Sequence, residues 1–127
     1  MIRVLIVDDQ AAYRSAMRRL LAREQDFEIV GEAADGLEAV QQAELLKPDV
    51  VLMDFSMPLL DGVTAATEIQ RKVPTVKIFI ISAYADTLDA GKIMRAGFML
   101  LDKALTAEEI VSAVRMEAAG TSSASED

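Results

Sequence analysis

Five short apolar runs punctuate the chain, at residues 4–7, 27–30, 50–53, 76–81 and 98–101. Four of them are almost uninterrupted, the pattern of strands covered on both faces. The second alternates, Phe27, Ile29 and Gly31 against Glu28 and Glu32, which suits an edge strand. Between the runs the period becomes helical. Tyr13, Met17, Leu20 and Leu21 fall at i, i+4, i+7 and i+8 and share one helix face. Ala39, Val40, Ala43 and Leu46 repeat the pattern, as do Val63, Ala66 and Ile69, and later Ala107, Ile110, Val111 and Val114. Residues 86–96 have helical length but weak amphipathicity. Thr106 and Glu109 have capping-box spacing for the last helix. Pro48, Pro58 and Pro74 lie between elements, where their missing N–H does no harm.

Strand and helix thus alternate five times. Such alternation predicts an α/β parallel sheet with right-handed crossovers and helices on both faces. A Rossmann sheet usually carries G-x-G-x-x-G after its first strand, whereas here the first run enters Asp8-Asp9-Gln10. The prediction is therefore a flavodoxin-like (βα)5 doubly wound parallel sheet with strand order 2-1-3-4-5. At 127 residues the chain has the length of one domain. We expect that domain over residues 1–119. The small, polar, acidic segment 120–127 (GTSSASED) reads as a flexible tail or the start of a linker.

Composition narrows the chemistry. With 52% hydrophobic and 27% charged residues, the chain is neither disordered nor collagen-like. It has no cysteine and no histidine, which excludes disulfides, thiolate metal sites, Ser-His-Asp catalysis and phosphohistidine formation on this chain. Thirteen basic against 21 acidic residues give 13 − 21 = −8. Such a surface repels phosphate backbones and anionic membranes, so direct nucleic-acid contact and membrane binding are not expected. The run 4–7 is too short for a signal-peptide core or a membrane span, and the reading is a soluble cytoplasmic domain.

In an open parallel sheet, ligands bind beyond the carboxyl ends of the strands at the switch point in strand order. In the 2-1-3-4-5 order that point lies between strands 1 and 3. There Asp8, Asp9 and Asp54 converge, with Ser82 ending strand 4 and Lys103 following strand 5. One Asp after a strand is most often a turn former or helix cap, and one Ser or Lys at a strand end is ordinary. Their joint placement is what carries information. Three clustered carboxylates call for a cation, and an all-oxygen site suits Mg²⁺. A carboxylate can also attack phosphorus, with the metal, Lys103 and the Ser82 hydroxyl stabilising the phosphoryl oxygens.

The segments VLIVDDQ (4–10), GEAADGLEAV (31–40), VVLMDFSMPLLDG (50–62), IISAY (80–84) and LLDK (100–103) together resemble a response-regulator receiver domain of two-component signalling. The opening looks most like regulators with a C-terminal helix-turn-helix DNA-binding output domain. The resemblance implies that Asp54 accepts a phosphoryl group from a histidine kinase. It implies that Asp9 and Asp54 bind Mg²⁺ through side chains, Ser56 through its carbonyl, and Asp8 through a metal-bound water. It makes Ser82 the switch hydroxyl and Lys103 the partner of a phosphoryl oxygen. By the same resemblance, Met57-Pro58 and Asp61-Gly62 would shape the loop after Asp54. The domain would catalyse its own phosphorylation and dephosphorylation without being an enzyme in the metabolic sense. Its output surface, around helix 4, strand 5 and helix 5, would be read by a partner or a second copy. DNA would be reached only through a separate output domain.

The departures fall on that output face. Leu100 stands where the family has an aromatic, the stretch before Lys103 is one residue short, and Ala104 follows Lys103 where the family has Pro and its cis peptide. They motivate an alternative, an interaction module that keeps the receiver fold but signals without phosphate. An aspartate-nucleophile phosphatase would carry a second Asp two residues after the nucleophile, and Ser56 stands there.

Overall fold

The computed structural model describes residues 1–55, 57, 61–83 and 88–126, with side chains at 88, 89 and 119–126 left aside. The elements run β1 (Ile2–Val7), α1 (Ala11–Ala22), β2 (Phe27–Ala33), α2 (Gly36–Leu46), β3 (Val50–Asp54), α3 (Gly62–Lys72), β4 (Lys77–Ser82), α4 (Leu88–Arg95), β5 (Met99–Asp102) and α5 (Ala107–Glu126). The sheet order is β2-β1-β3-β4-β5, every pair parallel. The alternating second run is accordingly an edge strand. It extends further than its apolar residues suggested, to Ala33, by pairing with β1. Val4 pairs with Ile29 and Leu5 with Gly31, so Val30 is an extra residue in the ladder, a local bulge.

Residues two apart on a strand share a sheet face, and here both faces are apolar. Leu5, Val7, Val51, Met53, Ile78 and Ile80 join one core with Ala39, Ala43, Ala65, Ala66, Ile69 and Ile93 of α2, α3 and α4. Val4, Ile6, Val50, Leu52, Phe79 and Ile81 join the other with Met17, Leu21, Ile110, Val111 and Val114 of α1 and α5. Each fully buried side chain of this size contributes about 1.5–3 kcal/mol by leaving water. The small residues on α2 and α3 let those helices approach the sheet closely.

Caps set the helix boundaries. Thr106 Oγ1 accepts from Glu109 N at 3.2 Å and Glu109 Oε1 accepts from Thr106 N at 2.9 Å, the capping box the spacing predicted. At the start of α2, Asp35 Oδ1 accepts from Glu38 N at 2.8 Å, while Glu38 Oε1 accepts from Ala34 N at 2.7 Å, one residue before the cap. Arg115 of α5 bonds Glu24 and Asp26, tying α5 to the turn between α1 and β2. No described peptide bond is cis, the Lys103–Ala104 bond included.

Candidate functional site

The carboxyl edge of the sheet collects its chemistry from four strands. Asp8 and Asp9 follow β1, Asp54 ends β3, Ser82 ends β4, and Lys103 follows β5. Backbone bonds between strand ends fix their spacing. Asp8 N donates to Ala33 O at 3.1 Å, Phe55 N to Ile81 O at 2.9 Å, and Lys103 N to Ser82 O at 2.9 Å. A cleft of about 360 Å³ opens over this edge, lined by Asp9, Gln10, Asp54, Phe55, Ser82, Ala83 and Lys103.

Asp8, Asp9 and Asp54 each present a carboxylate oxygen within 4.8 Å of the others. Asp8 is 1% exposed and Asp54 8%, whereas Asp9 is open to solvent. Two unit charges at that separation repel by about 3.5 kcal/mol at an effective dielectric of about 20. Lys103 offsets part of this, with Nζ 3.1 Å from Asp8 Oδ2 and 3.7 Å from Asp54 Oδ2. One ammonium against three carboxylates leaves an excess of two negative charges, 3 − 1 = 2.

Both carboxylate oxygens of Asp8 are engaged within the protein. Its Oδ1 accepts from Gln10 N at 2.8 Å and its Oδ2 from Lys103. Its carbonyl accepts from the Arg14 guanidinium. Arg14 also bonds Glu32 of β2 at 3.2 Å, and Arg18 bonds the same carboxylate at 2.6 Å. The Lys103 ammonium sits over the Tyr13 ring, 4.5 Å from its centroid. The Tyr13 hydroxyl is buried without a hydrogen-bond partner among the described residues. That burial, then the negative charges of Asp8 and Asp54, push it up to about 12.

Gly62 brings α3 against this edge. A Cβ there would meet the Asp54 carbonyl oxygen at 2.7 Å and Phe55 Cα at 3.0 Å, so the requirement is close backbone approach. Gly62 N donates to Phe55 O at 3.1 Å, and Asp61 caps α3 by accepting from Thr64 N at 2.9 Å.

The profile of the response regulator receiver domain matches residues 4–115. This chain belongs to that family. It is similar to the response regulator VraR of Staphylococcus aureus, 36% identical over 122 residues, which are 95% of this chain and 58% of VraR. Among solved structures it resembles the receiver domain of NarL from Mycobacterium tuberculosis, with a TM-score of 0.88, 32% identity and coverage of 94% and 97% of the two chains. It also resembles the CheX–CheY complex of Borrelia burgdorferi containing beryllofluoride and magnesium, with a TM-score of 0.80, 27% identity and coverage of 89% and 86%. The chain spans about half the length of the curated relatives it matches, 51–58% for the first of them.

The receiver's acidic edge fits a hard dication. Its donors are all oxygens, and it holds more negative charge than Lys103 can neutralise. Of the residues singled out from the sequence, Asp8, Asp9, Asp54, Ser82 and Lys103 meet at this edge. Ser56, Pro58 and Tyr84 lie outside the described residues. Neither Arg14 nor Tyr13 stands out in the sequence as a site residue. Tyr13 reads as one more apolar position on the core stripe of α1. Its signal is its place, one helical turn past Asp9. Among the described residues no helix is long and apolar enough to cross a membrane.

Proposed function

We propose that this receiver domain takes a phosphoryl group from the phosphohistidine of a histidine kinase onto Asp54. The observation that carries the reading is the convergence of three carboxylates and Lys103 at the switch point between β1 and β3. An Asp54 carboxylate oxygen attacks phosphorus, the bond from phosphorus to the donor's imidazole nitrogen breaks, and an aspartyl phosphate forms. Asp9 and Asp54 through their side chains, and Ser56 through its carbonyl, would hold Mg²⁺, which offsets charge on the transferring group. Asp8 would act on the metal indirectly, consistent with both its oxygens already accepting within the protein. Lys103 pairs with a phosphoryl oxygen, and the Ser82 hydroxyl moves towards it. The magnesium and beryllofluoride of the Borrelia complex support this assignment by similarity.

The output is a change around α4, β5 and α5. A groove of about 580 Å³ lies there, lined by Phe98, Leu100, Leu101 and the exposed Met94 and Met116 among others. A partner protein or a second copy reads it. Residues 1–119 form the switch unit, and 120–127 lead into a linker. DNA is reached through a separate output domain, in a cytoplasmic regulator. The domain turns over its own phosphoryl group and is no metabolic enzyme.

A second reading, a receiver-fold module that signals without phosphate, draws on Leu100. It packs against the core beneath α2 to α4 in the family's aromatic position. The two readings part on one experiment. Acetyl phosphate with Mg²⁺ should add one hydroxylamine-labile phosphoryl group, and chelation should prevent it. An unmodified chain would favour the second reading, and a base-stable ester on Ser or Thr would contradict the first.

A further inference from the structure

The Tyr13 ring gives Lys103 a seat that uses no oxygen. Among the described residues, Lys103 brings its ammonium to the acidic edge, 3.1 Å from Asp8 Oδ2 and 3.7 Å from Asp54 Oδ2. A dication drawn to the same carboxylates competes with it. A lysine held by carboxylates alone would lose its anchor as they turned to the metal, and its four-carbon stem gives it ample freedom to leave. The ring face behaves differently. It attracts the ammonium through its quadrupole, it offers nothing to a hard metal, and it lies 4.5 Å from Nζ. The ring is carried by the first turn of α1, whose Arg14 bonds the Asp8 carbonyl and Glu32. Seat and acidic edge therefore share one rigid frame.

We infer that Tyr13 is a positioning residue for Lys103, holding its ammonium over the cleft while the carboxylates engage Mg²⁺, so that it stays in place for the phosphoryl group. This rests on the phosphoacceptor reading for its purpose but not for its geometry. The ring is the working part. Among the described residues the hydroxyl is buried without a partner, so Tyr13→Phe should keep the function, whereas Tyr13→Leu keeps an apolar α1 stripe and removes the quadrupole.

Two measurements test this on the wild type, Tyr13→Phe, Tyr13→Leu, Lys103→Ala and the Tyr13→Leu/Lys103→Ala double variant. The first is the ¹H–¹³C signal of the Lys103 ε-methylene, without metal and with saturating Mg²⁺. Ring-current shielding should move it upfield in the wild type and Tyr13→Phe under both conditions, and the shift should vanish in Tyr13→Leu. The second is the phosphorylation rate with acetyl phosphate at saturating Mg²⁺. Tyr13→Phe should stay within about twofold of the wild type. Tyr13→Leu should be slower by about three- to tenfold, the scale of one partly exposed cation–π contact. In the Lys103→Ala background Tyr13→Leu should have no further effect. An unshielded Lys103 in the wild type overturns the seat, as does Tyr13→Phe slowing as much as Tyr13→Leu, or Tyr13→Leu slowing Lys103→Ala further. A shielded Lys103 in a wild type that takes up no phosphoryl group supports the seat and sinks the phosphoacceptor reading alone.

Discussion

Asp54→Asn should make the metal-free protein more stable. Asp54 is 8% exposed, and its carboxylate lies within 4.8 Å of those of Asp8 and Asp9. At an effective dielectric of about 20, removing its charge relieves about 3.5 kcal/mol of repulsion from the buried Asp8. Relief from Asp9 is about half that, because Asp9 is solvated and screened. Against this stands the lost attraction to Lys103 at 3.7 Å, about 4.5 kcal/mol on the same scale. The Coulomb balance favours the amide by somewhat under 1 kcal/mol, and sparing a nearly buried charge its desolvation adds to it. The net gain is about 1–2 kcal/mol, or about 4–8 °C in Tm for a domain of this size. Thermal unfolding with a chelator present measures it. Mg²⁺ should then raise the wild-type Tm more than the variant's. A chelator-treated Asp54→Asn protein melting at or below the wild type would refute the reasoning, because Lys103 would then outweigh the clustered acids.

Lys103→Ala should fold but lose about 1–3 kcal/mol without metal, since it leaves the Asp8 carboxylate buried beside its fellow acids; Mg²⁺ should recover more of that loss in the variant than in the wild type, by calorimetry. Asp9→Ala should weaken Mg²⁺ binding at least tenfold and Asp8→Ala by less, measured by titration calorimetry; the reverse ranking would exchange their roles. Tyr13 keeps its proton to about pH 12 in the fold, against an ordinary value near 10. The folded state therefore favours the protonated phenol, and this contribution is whole below about pH 10 and lost between about 10 and 12. In Tyr84→Phe, absorbance at alkaline pH should show one late phenolate that Tyr13→Phe removes; a single ordinary titration would contradict the buried setting.

The sheet was legible because β1, β3 and β4 are buried on both faces, so their apolar runs are unbroken and hard to mistake. The edge position of β2 was legible for the opposite reason, since Glu28 and Glu32 interrupt it. Its last residue, Ala33, was not, because it joins the ladder through Val7 of β1 rather than by its own propensity. The acidic edge could be read once strand order was known, as each acid sits at a strand end. The seat under Lys103 could not. It joins α1 to the end of β5 across 90 positions, and an aromatic on a core stripe gives no sign of what lies above its face. The need for Gly62 was likewise hidden, because it depends on how near α3 comes to the Asp54 carbonyl. Asp35 and Glu38, by contrast, carry the same spacing as Thr106 and Glu109, and the Asp35 cap on Glu38 N was open to the same reading.

The most direct test of the account asks which atom takes the phosphoryl group. Acyl phosphates are reduced by borohydride, which converts a phosphorylated aspartate to homoserine and leaves free carboxylates and phosphate esters alone. The protein should be incubated with acetyl phosphate and Mg²⁺, reduced, digested and sequenced by tandem mass spectrometry. The account predicts homoserine at position 54 in the wild type and none in Asp54→Ala. Homoserine at position 8 or 9, or reduction that persists in Asp54→Ala, would contradict it.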